Sequence, residues 1–204
     1  MKGRLYIFSG PAGVGKGTVL HLALERLSGI KYSVSCTTRA PRPGLDKEGE
    51  TYHFISEDEF RRRIAAGDFL EYAEVHGHLY GTRRDIVESA LEAGTDIVLE
   101  IDVQGAFIVK QKMPEAVMIF VKPPSMEELR RRLEGRGSEG REERELRIKN
   151  AEAEIACAGK YDYVVVNDDL ERTVDEVINI VKKNREEQQY EENFSGSYVY
   201  GHYG

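Results

Sequence analysis

A glycine-rich segment near the amino terminus contains the residue types that bind phosphate groups. Its glycines allow successive backbone N–H groups to converge on phosphate oxygens, and Lys16 can reach the β- and γ-phosphates of a nucleotide. A helical pattern follows, and the positive end of that helix adds favourable potential. Because a strand, a lysine and a helix accompany the glycines, a turn without a ligand is the weaker interpretation. The predicted contacts of a donor nucleotide are Gly10, Pro11, Ala12, Gly13, Val14, Gly15, Lys16, Gly17 and Thr18.

The metal chemistry of this segment departs from the common pattern. A Ser or Thr usually follows the lysine and holds Mg²⁺, whereas Gly17 stands there and the hydroxyl comes one residue later, at Thr18. A second candidate is Asp102, which ends an apolar run where a parallel strand would present a carboxylate. A solvated strand end is the alternative for this acid. We expect Mg²⁺ to accompany the donor nucleotide, with Thr18 and Asp102 as the candidate residues that hold it, directly or through water.

Two arginines on a proline-stiffened loop can hold a second phosphate. Arg39 and Arg42 lie in the segment TRAPRPG. A phosphomonoester that accepts a phosphoryl group needs bidentate cationic donors that keep it in line with the donor phosphate. Tyr52 and Tyr80 can add hydroxyl donors. A solvated basic loop is the alternative, and the spacing of the arginines does not exclude it.

The segment FLEYAEV contains an acid with the chemistry that recognition of guanine requires. Guanine presents N1–H and an amino group as donors and O6 as an acceptor, so a selective pocket needs a carboxylate together with hydroxyl or amide groups. Glu71 lies in this segment, and Ser35 and Thr82 lie at the two edges of the surrounding region. An ordinary exposed strand residue is the alternative for Glu71, and composition does not decide between them.

The apolar pattern predicts an α/β fold with a parallel sheet flanked by helices. Continuous apolar runs predict strands, the first at Leu5–Phe8, and segments with helical spacing alternate with them. Further strands are predicted at Tyr32–Cys36, Ile97–Ile101, Val117–Val121 and Tyr163–Val166, and helices at Gly17–Leu27, Arg84–Ala93, Val103–Lys112, Ser125–Leu133 and Glu142–Ala158.

Three segments interrupt or follow this alternation. Residues 37–82 contain prolines, aromatic residues and short elements, which predicts a small subdomain inserted into a core formed by 1–36 and 83–184. A glycine-punctuated, charged segment at about 134–147 predicts a lid. Residues 185–204 lack apolar periodicity, and we expect them to be a disordered tail.

Composition excludes several classes of protein. The 204 residues carry a formal net charge of −7, which disfavours general binding of nucleic acid because such binding requires clustered Lys and Arg. No apolar run reaches the ~20 residues that span a bilayer, and the amino terminus lacks a secretory signal. Cys36 and Cys157 are too few for a disulfide framework. We therefore expect a cytoplasmic protein without membrane contact.

Several motifs, in order along the chain, resemble those of the bacterial guanylate kinases. They are SGPAGVGKGT, YSVSCTTRAPRPG, GETY, FLEYAEVHGHLYGT, VLEIDVQGA, RIKNAEAEI and YDYVVVND, between about Arg4 and Lys183. Such an ordered set is far more specific than a phosphate loop alone. The resemblance implies a fold of P-loop NTPase type within residues 1–184, with a subdomain for the monophosphate. It also implies phosphorylation of GMP to GDP by ATP in purine nucleotide metabolism, with dGMP as a further candidate acceptor.

The resemblance also implies roles for individual residues. Lys16 would neutralise the donor phosphates, and Arg136 of the lid and Arg147 of the following helix would complete the catalytic set around the transferring group. Asn167 would lie near the donor adenine, and Arg132 would assist from the helix before the lid. The GMP phosphate would be bound by Arg39, Arg42, Tyr52 and Tyr80. The guanine edge would be recognised by Ser35, Glu71, Thr82 and Asp102.

The chain departs from the family pattern in its phosphate loop and at its carboxyl end. Ala12 replaces a serine that is common in this loop, which removes one side-chain contact and leaves the backbone cradle in place. The aromatic residues of the segment SYVYGHYG have no counterpart in the family pattern. We expect Ala12 to have a modest effect on binding of the donor nucleotide.

Two alternative functions remain open. Adenylate kinases also carry a GKGT loop, but Glu71 with Ser35 and Thr82 favours guanine over adenine. Scaffold proteins contain guanylate-kinase-like domains that bind phosphopeptides, but an intact Lys16 favours an enzyme. For the enzyme we expect direct in-line transfer, because no activated nucleophile is evident, and closure of subdomain and lid to exclude water. The oligomeric state stays open.

Overall fold

The computed structural model describes residues 2–75, 77–134 and 141–197. Strands and helices alternate along most of this length. In chain order the elements are β1 (Leu5–Ser9), α1 (Lys16–Arg26), β2 (Ile30–Tyr32), β3 (Cys36–Thr37), β4 (His53–Phe54), α2 (Glu57–Ala66), β5 (Phe69–Val75), β6 (His78–Arg83), α3 (Arg84–Glu92), β7 (Asp96–Glu100), α4 (Val103–Lys112), β8 (Val117–Lys122), α5 (Met126–Glu134), α6 (Arg141–Ala156), a short 3-10 helix (Ala158–Lys160), β9 (Tyr163–Val166) and α7 (Leu170–Ser197).

Five strands form a parallel sheet in the order β2-β7-β1-β8-β9. The central strand is β1, in which Tyr6 lies opposite Val98 of β7 and Val117 of β8. All five residues of β1 are buried, which explains why its sequence is a continuous apolar run and not an alternating one. The predicted parallel α/β architecture is confirmed.

Alternate residues of β1 belong to different hydrophobic cores. Leu5 and Ile7 pack in the core that includes residues of α3 and α4, whereas Tyr6 and Phe8 pack in the core that includes residues of α1 and α7. Successive side chains of a strand point to opposite faces of the sheet, so each face is covered by its own pair of helices. The carboxyl ends of the strands stay open between the two layers.

Four further strands form a second sheet in the order β4-β3-β6-β5. The single strand predicted at Tyr32–Cys36 is wrong, because β2 ends in the parallel sheet at Tyr32 and β3 begins in the second sheet at Cys36. Between them, the N–H of Ser33 donates to the carbonyl of Val98 (3.0 Å), and the carbonyl of Ser35 accepts from a backbone N–H of β4 (2.9 Å). An extended apolar pattern does not tell which sheet a residue joins. The crossing places Ser35 at the junction of the two sheets.

Helix α2 packs on the second sheet and holds strands β5 and β6 together. Phe60 of α2 stacks on Phe69 of β5, with ring centroids 4.5 Å apart. Both rings lie against Gly81 of β6, where an added Cβ would come within 2.9 Å of each ring. Glycine at this position therefore permits the close approach of α2 to the sheet that presents Glu71 and Tyr80.

The carboxyl-terminal helix α7 extends well beyond the predicted end of the domain. The structure contradicts a disordered tail over residues 185–197, which are helical. Arg185 Nε donates to Asp96 Oδ2 (2.7 Å) and Gln188 Nε2 donates to the carbonyl of Lys2 (2.9 Å). The sequence of this part is polar because α7 meets the end of the sheet through ion pairs and hydrogen bonds. Among the described helices, even this long one lacks the apolar length that a bilayer crossing requires.

Removal of residues 185–204 is expected to destabilise the fold. Asp96, whose side chain is 10% exposed, would lose its ion pair with Arg185 and keep the N–H of Arg4 as a partner. We expect the free energy of unfolding to fall by about 2–3 kcal/mol and the Tm by roughly 5–10 °C. Thermal unfolding followed by circular dichroism measures this change. A matched truncation of residues 192–204 keeps the contacts of Arg185 with Asp96 and of Gln188 with Lys2, and it should leave the Tm unchanged. Equal Tm values for the two truncations would contradict the prediction.

Candidate active site

A cleft of about 490 Å³ lies between the carboxyl ends of the parallel strands and the second sheet. Ligands of open α/β sheets bind at this edge. The structure brings most of the predicted donor-side and acceptor-side residues together here. Those that line the cleft are Gly10, Ala12, Lys16, Ser35, Arg39, Arg42, Tyr52, Glu71, Tyr80, Asp102 and Arg147.

The phosphate loop connects β1 to α1 and requires glycine at specific positions. At Gly10, an added Cβ would lie 2.1 Å from the carbonyl oxygen of Val121. Gly15 has a φ of 97°, in the left-handed region that favours glycine. The side chain of Lys16 turns back over the loop, where Nζ donates to the carbonyls of Gly10 (2.6 Å) and Pro11 (3.0 Å). The ammonium group therefore lies at the mouth of the loop, inside the cleft.

Two side chains from outside the loop fix its backbone. Asn167 Nδ2 donates to the carbonyl of Val14 (2.8 Å), and Arg132 Nη1 donates to the same carbonyl (3.1 Å). Arg132 also donates through Nη2 to the carbonyl of Asn167 (3.0 Å) and through Nε to Glu128 (2.8 Å). Both residues lie behind the loop, where they stabilise its shape. The predicted place of Asn167 near the donor adenine stays a prediction.

The two arginines of the acceptor side share one buried carboxylate that the sequence did not identify. Asp46 has a fully buried side chain, and its Oδ2 accepts from Arg39 Nη1 (2.8 Å) while Oδ1 accepts from Arg42 Nη2 (3.0 Å). These hydrogen bonds hold the pKa of Asp46 well below its usual range. The guanidinium of Arg39 lies 5.3 Å from the ring centroid of Tyr52, which in turn lies 5.7 Å from that of Tyr80. The only signal in the sequence was an acid four residues after Arg42.

A second buried carboxylate, that of Glu71, lines the cleft itself. Glu71 is 4% exposed, and its Oε1 accepts from Thr82 Oγ1 (2.5 Å) across the β5–β6 pair. Burial raises the pKa of Glu71 to about 7; the hydrogen bond from Thr82 opposes this shift, and the charge of Asp102 adds to it. Thr82 is itself fully buried, so it acts on the cleft through Glu71 and does not line it.

Asp102 stands next to Glu71 at the start of helix α4. Its Oδ1 accepts from the N–H of Gly105 (2.9 Å), which makes it the N-cap of that helix. Burial raises the pKa of Asp102, and the backbone hydrogen bond opposes this shift. The carboxylate therefore has a structural partner of its own and still faces the cleft.

Two further acids line the cleft that were not among the predicted site residues. Glu100 ends β7 close to Gly17, and burial raises its pKa while the charge of Lys16 lowers it. Glu154 lies on α6, seven residues after Arg147 and therefore on the same helix face, and burial raises its pKa to about 7. In the sequence, Glu100 is visible as a polar residue inside an apolar run. Glu154 carried no signal, because its helix is rich in glutamate.

Besides Thr82, the described residues that were predicted for the site and do not line the cleft are Pro11, Gly13, Val14, Gly15, Gly17, Thr18 and Asn167. Thr18 is exposed on the first turn of α1 and does not line the cavity. Arg136 lies outside the described residues, as does part of the predicted lid. Within the described part of the chain, His, Cys, Asp and Glu side chains form no group of three or more that is suited to hold a metal ion.

The arrangement is suited to transfer of a phosphoryl group between two bound anions. One end of the cleft has the glycine loop and Lys16, the residue types that bind a polyphosphate. The other end has Arg39 and Arg42 for a second phosphate. Glu71 and Asp102 add carboxylates that can accept hydrogen bonds from a base with two donors. Holding both reactants in one cavity provides the alignment that such a transfer needs.

Comparisons with known proteins agree with this chemistry. A family model described as guanylate kinase matches residues 2–184. The chain is similar to a guanylate kinase of Thermotoga maritima, at 47% identity over 91% of this chain and 89% of the relative. It is also similar to one of Rubrobacter xylanophilus, at 50% identity over 89% of this chain and 95% of the relative. A crystal structure of guanylate kinase from Anaplasma phagocytophilum superimposes with a TM-score of 0.75 at 40% identity, over 89% of this chain and 86% of that chain.

Proposed function

Because the chain belongs to the guanylate kinase family, we propose that its cleft transfers the γ-phosphoryl group of ATP to GMP. An oxygen of the GMP phosphate forms a bond to the γ-phosphorus, and the bond from that phosphorus to the β,γ-bridging oxygen breaks. The products are ADP and GDP. The observation that carries this function is the presence, in one cleft, of the phosphate loop, the arginine pair and the buried Glu71.

On the donor side, the loop Gly10–Thr18 and Lys16 bind the phosphates of ATP. The glycines bring backbone N–H groups to the phosphate oxygens, and Lys16 adds a positive charge that neutralises the donor phosphates. Asn167 and Arg132 keep the loop in shape through the carbonyl of Val14. Because the loop is held from behind, little rearrangement is needed when charge develops.

On the acceptor side, Arg39, Arg42, Tyr52 and Tyr80 bind the phosphate of GMP. Asp46 holds the two guanidinium groups together, so the dianion meets a preformed pair of donors. The base is recognised by Glu71, which accepts from N1–H and the amino group of guanine. Ser35 and Asp102 complete this recognition, and Thr82 orients Glu71.

Members of nucleotide kinase families typically need a divalent metal, and we propose Mg²⁺ bound to ATP. Mg²⁺ in such sites is held by one or two carboxylates, by waters and by substrate phosphates, and not by a cage of protein groups. The described donor set fits this mode, since Glu100 and Asp102 face the cleft. These two acids would hold the ion through water, and Thr18 is less well placed because it is outside the cavity. When bound, Mg²⁺ neutralises charge on the phosphates.

Closure of the cleft completes the proposal. Arg147 lines the cavity from α6. We propose that it acts together with Arg136, from the lid at about 134–147, to stabilise the negative charge that develops on the transferring group. Movement of the subdomain 37–82 toward the core would exclude water and so favour GMP over water as the acceptor. With ATP and GMP as its partners, the enzyme needs no nucleic acid or membrane, and we place it in the cytoplasm.

The direct test is a panel of acceptors. The purified protein is given Mg-ATP with GMP, dGMP, AMP, CMP or UMP in separate reactions, and both ADP and the new diphosphate are quantified. A response restricted to GMP, with or without dGMP, supports the proposal. Preference for AMP would keep the fold and overturn the assignment of Glu71. Binding of a phosphopeptide without any transfer would favour a noncatalytic module.

Activity with GMP is expected to rise with pH around neutrality. Because burial raises the pKa of Glu71 to about 7, this group is protonated below that pH and then offers a proton where guanine also offers its donors. We expect kcat/KM for GMP to increase about tenfold from pH 6 to pH 8 through this ionisation. The GMP phosphate also titrates, with a pKa of about 6. The Glu71→Gln variant lacks the first ionisation only, so identical pH profiles of the two proteins would contradict the prediction.

A further inference from the structure

Gly105 lies in the first turn of helix α4, at a position where nothing in the backbone requires glycine. Its φ is not in the left-handed region, unlike that of the glycines of the phosphate loop. Glycine weakens a helix relative to alanine, because it has more conformational freedom to lose. The reason for glycine at this place must therefore lie in what surrounds it.

Gly105 is surrounded by the two carboxylates proposed to recognise the base, those of Glu71 and Asp102. An added Cβ would lie 2.6 Å from Glu71 Oε2, 3.2 Å from Glu71 Cδ and 3.2 Å from Asp102 Oδ1. The first of these distances is too short for any pair of unbonded heavy atoms of this kind, so the carboxylate of Glu71 would have to move. The missing side chain thus provides the space in which that carboxylate lies.

The rest of Glu71 has little freedom to adjust. Its Oε1 accepts from Thr82 Oγ1, which is fully buried on the neighbouring strand. The preceding residue, Leu70, is 1% exposed and packs in the same core as Val103 and Ala106 of α4. The strand and the helix are therefore fixed against each other, and a methyl group at position 105 would act on the carboxylate and not on the backbone.

We propose that Gly105 is a positioning residue for recognition of the acceptor base, which it controls by leaving the place of the Glu71 carboxylate open. This inference rests on the proposed role of Glu71 toward guanine. A side chain at position 105 would displace the carboxylate from the place where it accepts from Thr82. It would therefore weaken the binding of GMP through its base. The phosphate loop on the donor side would stay unchanged.

The variant Gly105→Ala tests this inference by steady-state kinetics. We expect KM for GMP to rise at least tenfold, KM for ATP to stay within twofold, and the ratio of activity with GMP to activity with AMP to fall. A general loss of structure would affect both substrates and would not change this ratio. Gly159→Ala is the matched control, because a Cβ there would meet no atom within 4 Å. An unchanged KM for GMP in Gly105→Ala would overturn the inference.

A double-mutant cycle with Glu71→Ala shows whether the effect passes through Glu71. With the carboxylate removed, Gly105→Ala should cause no further loss, and a loss of the same size in both backgrounds would overturn the inference. If Gly105→Ala alone does not fold, recovery of folding in the double variant supports the inference and continued failure overturns it. A normal GMP response of Glu71→Ala would instead overturn the proposed role of Glu71.

Discussion

Replacement of Lys16 by methionine is expected to lower kcat by about a thousandfold, because a group aimed at developing charge contributes most in the transition state. Lys16 Nζ lies in the cleft at the mouth of the phosphate loop, and it is the lysine of the loop that we propose binds the donor. Methionine keeps the unbranched stem of the side chain and removes the charged ammonium group. The KM for ATP should change much less than kcat, since the backbone N–H groups of the loop still bind the phosphates.

The measurement is the rate of GDP formation with saturating Mg-ATP and GMP. Lys31→Met, at an exposed position of β2, is the matched control and should retain the parental rate. Because Lys16 also donates to the carbonyls of Gly10 and Pro11, thermal unfolding of the variant shows whether the loop has lost structure. A decrease of less than tenfold in a folded variant would remove Lys16 from the catalytic set.

Replacement of Glu71 by glutamine is expected to lower kcat/KM for GMP by about a hundredfold. The amide has nearly the shape of the carboxylate, but its NH₂ group faces guanine donors that then lack an acceptor. An unsatisfied donor in a buried site costs about 1–3 kcal/mol, which corresponds to this loss for the pair of guanine donors. Activity with AMP should not decrease, so the ratio between the two acceptors reports the loss of base recognition.

The same substitution is expected to stabilise the folded protein above neutral pH. The pKa of Glu71 is raised from 4.5 to about 7 by burial, so the folded state resists its ionisation. Stability is thus lost as pH rises from the unfolded value through about 7, and glutamine avoids this loss. The Tm of Glu71→Gln should exceed that of the parent at pH 8, and the difference should disappear near pH 4.

Glu74→Gln is the matched control for both measurements. Glu74 is exposed and lies on the same strand, three positions after Glu71. An odd number of positions along a strand places it on the opposite face of the sheet. We expect neither its kinetics nor its pH-dependent Tm to differ from those of the parent. Equal effects of the two substitutions would show that the change arises from net charge and not from the buried position.

The phosphate loop shows how far local sequence can determine a site. Its glycines and Lys16 are consecutive in the chain, and the apolar run before them and the helix after them have clear patterns. The sequence signature of such a segment is contained within a few residues. The loop, the central strand and the parallel α/β class were therefore predictable before any tertiary contact was known.

Other parts of the site depend on contacts that residue type and spacing do not reveal. Asp46 becomes important because Arg39 and Arg42 fold around it, and Thr82 acts on the cleft only because β6 pairs with β5. Glu154 joins the cleft from a helix whose many glutamates look alike in the sequence. Burial raises the pKa of Glu154, and burial depends on how the helix packs against the rest of the domain.

The sequence by itself determined the α/β class, the phosphate loop and the candidate groups of the acceptor side, because periodicity and residue type are local properties. The tertiary structure decided that the segment around Ser35 crosses between two sheets and that α7 continues along the domain through Arg185. It also decided that Glu71 lies over Gly105. These features follow from contacts between residues far apart in the chain, and such contacts arise only when the whole domain packs.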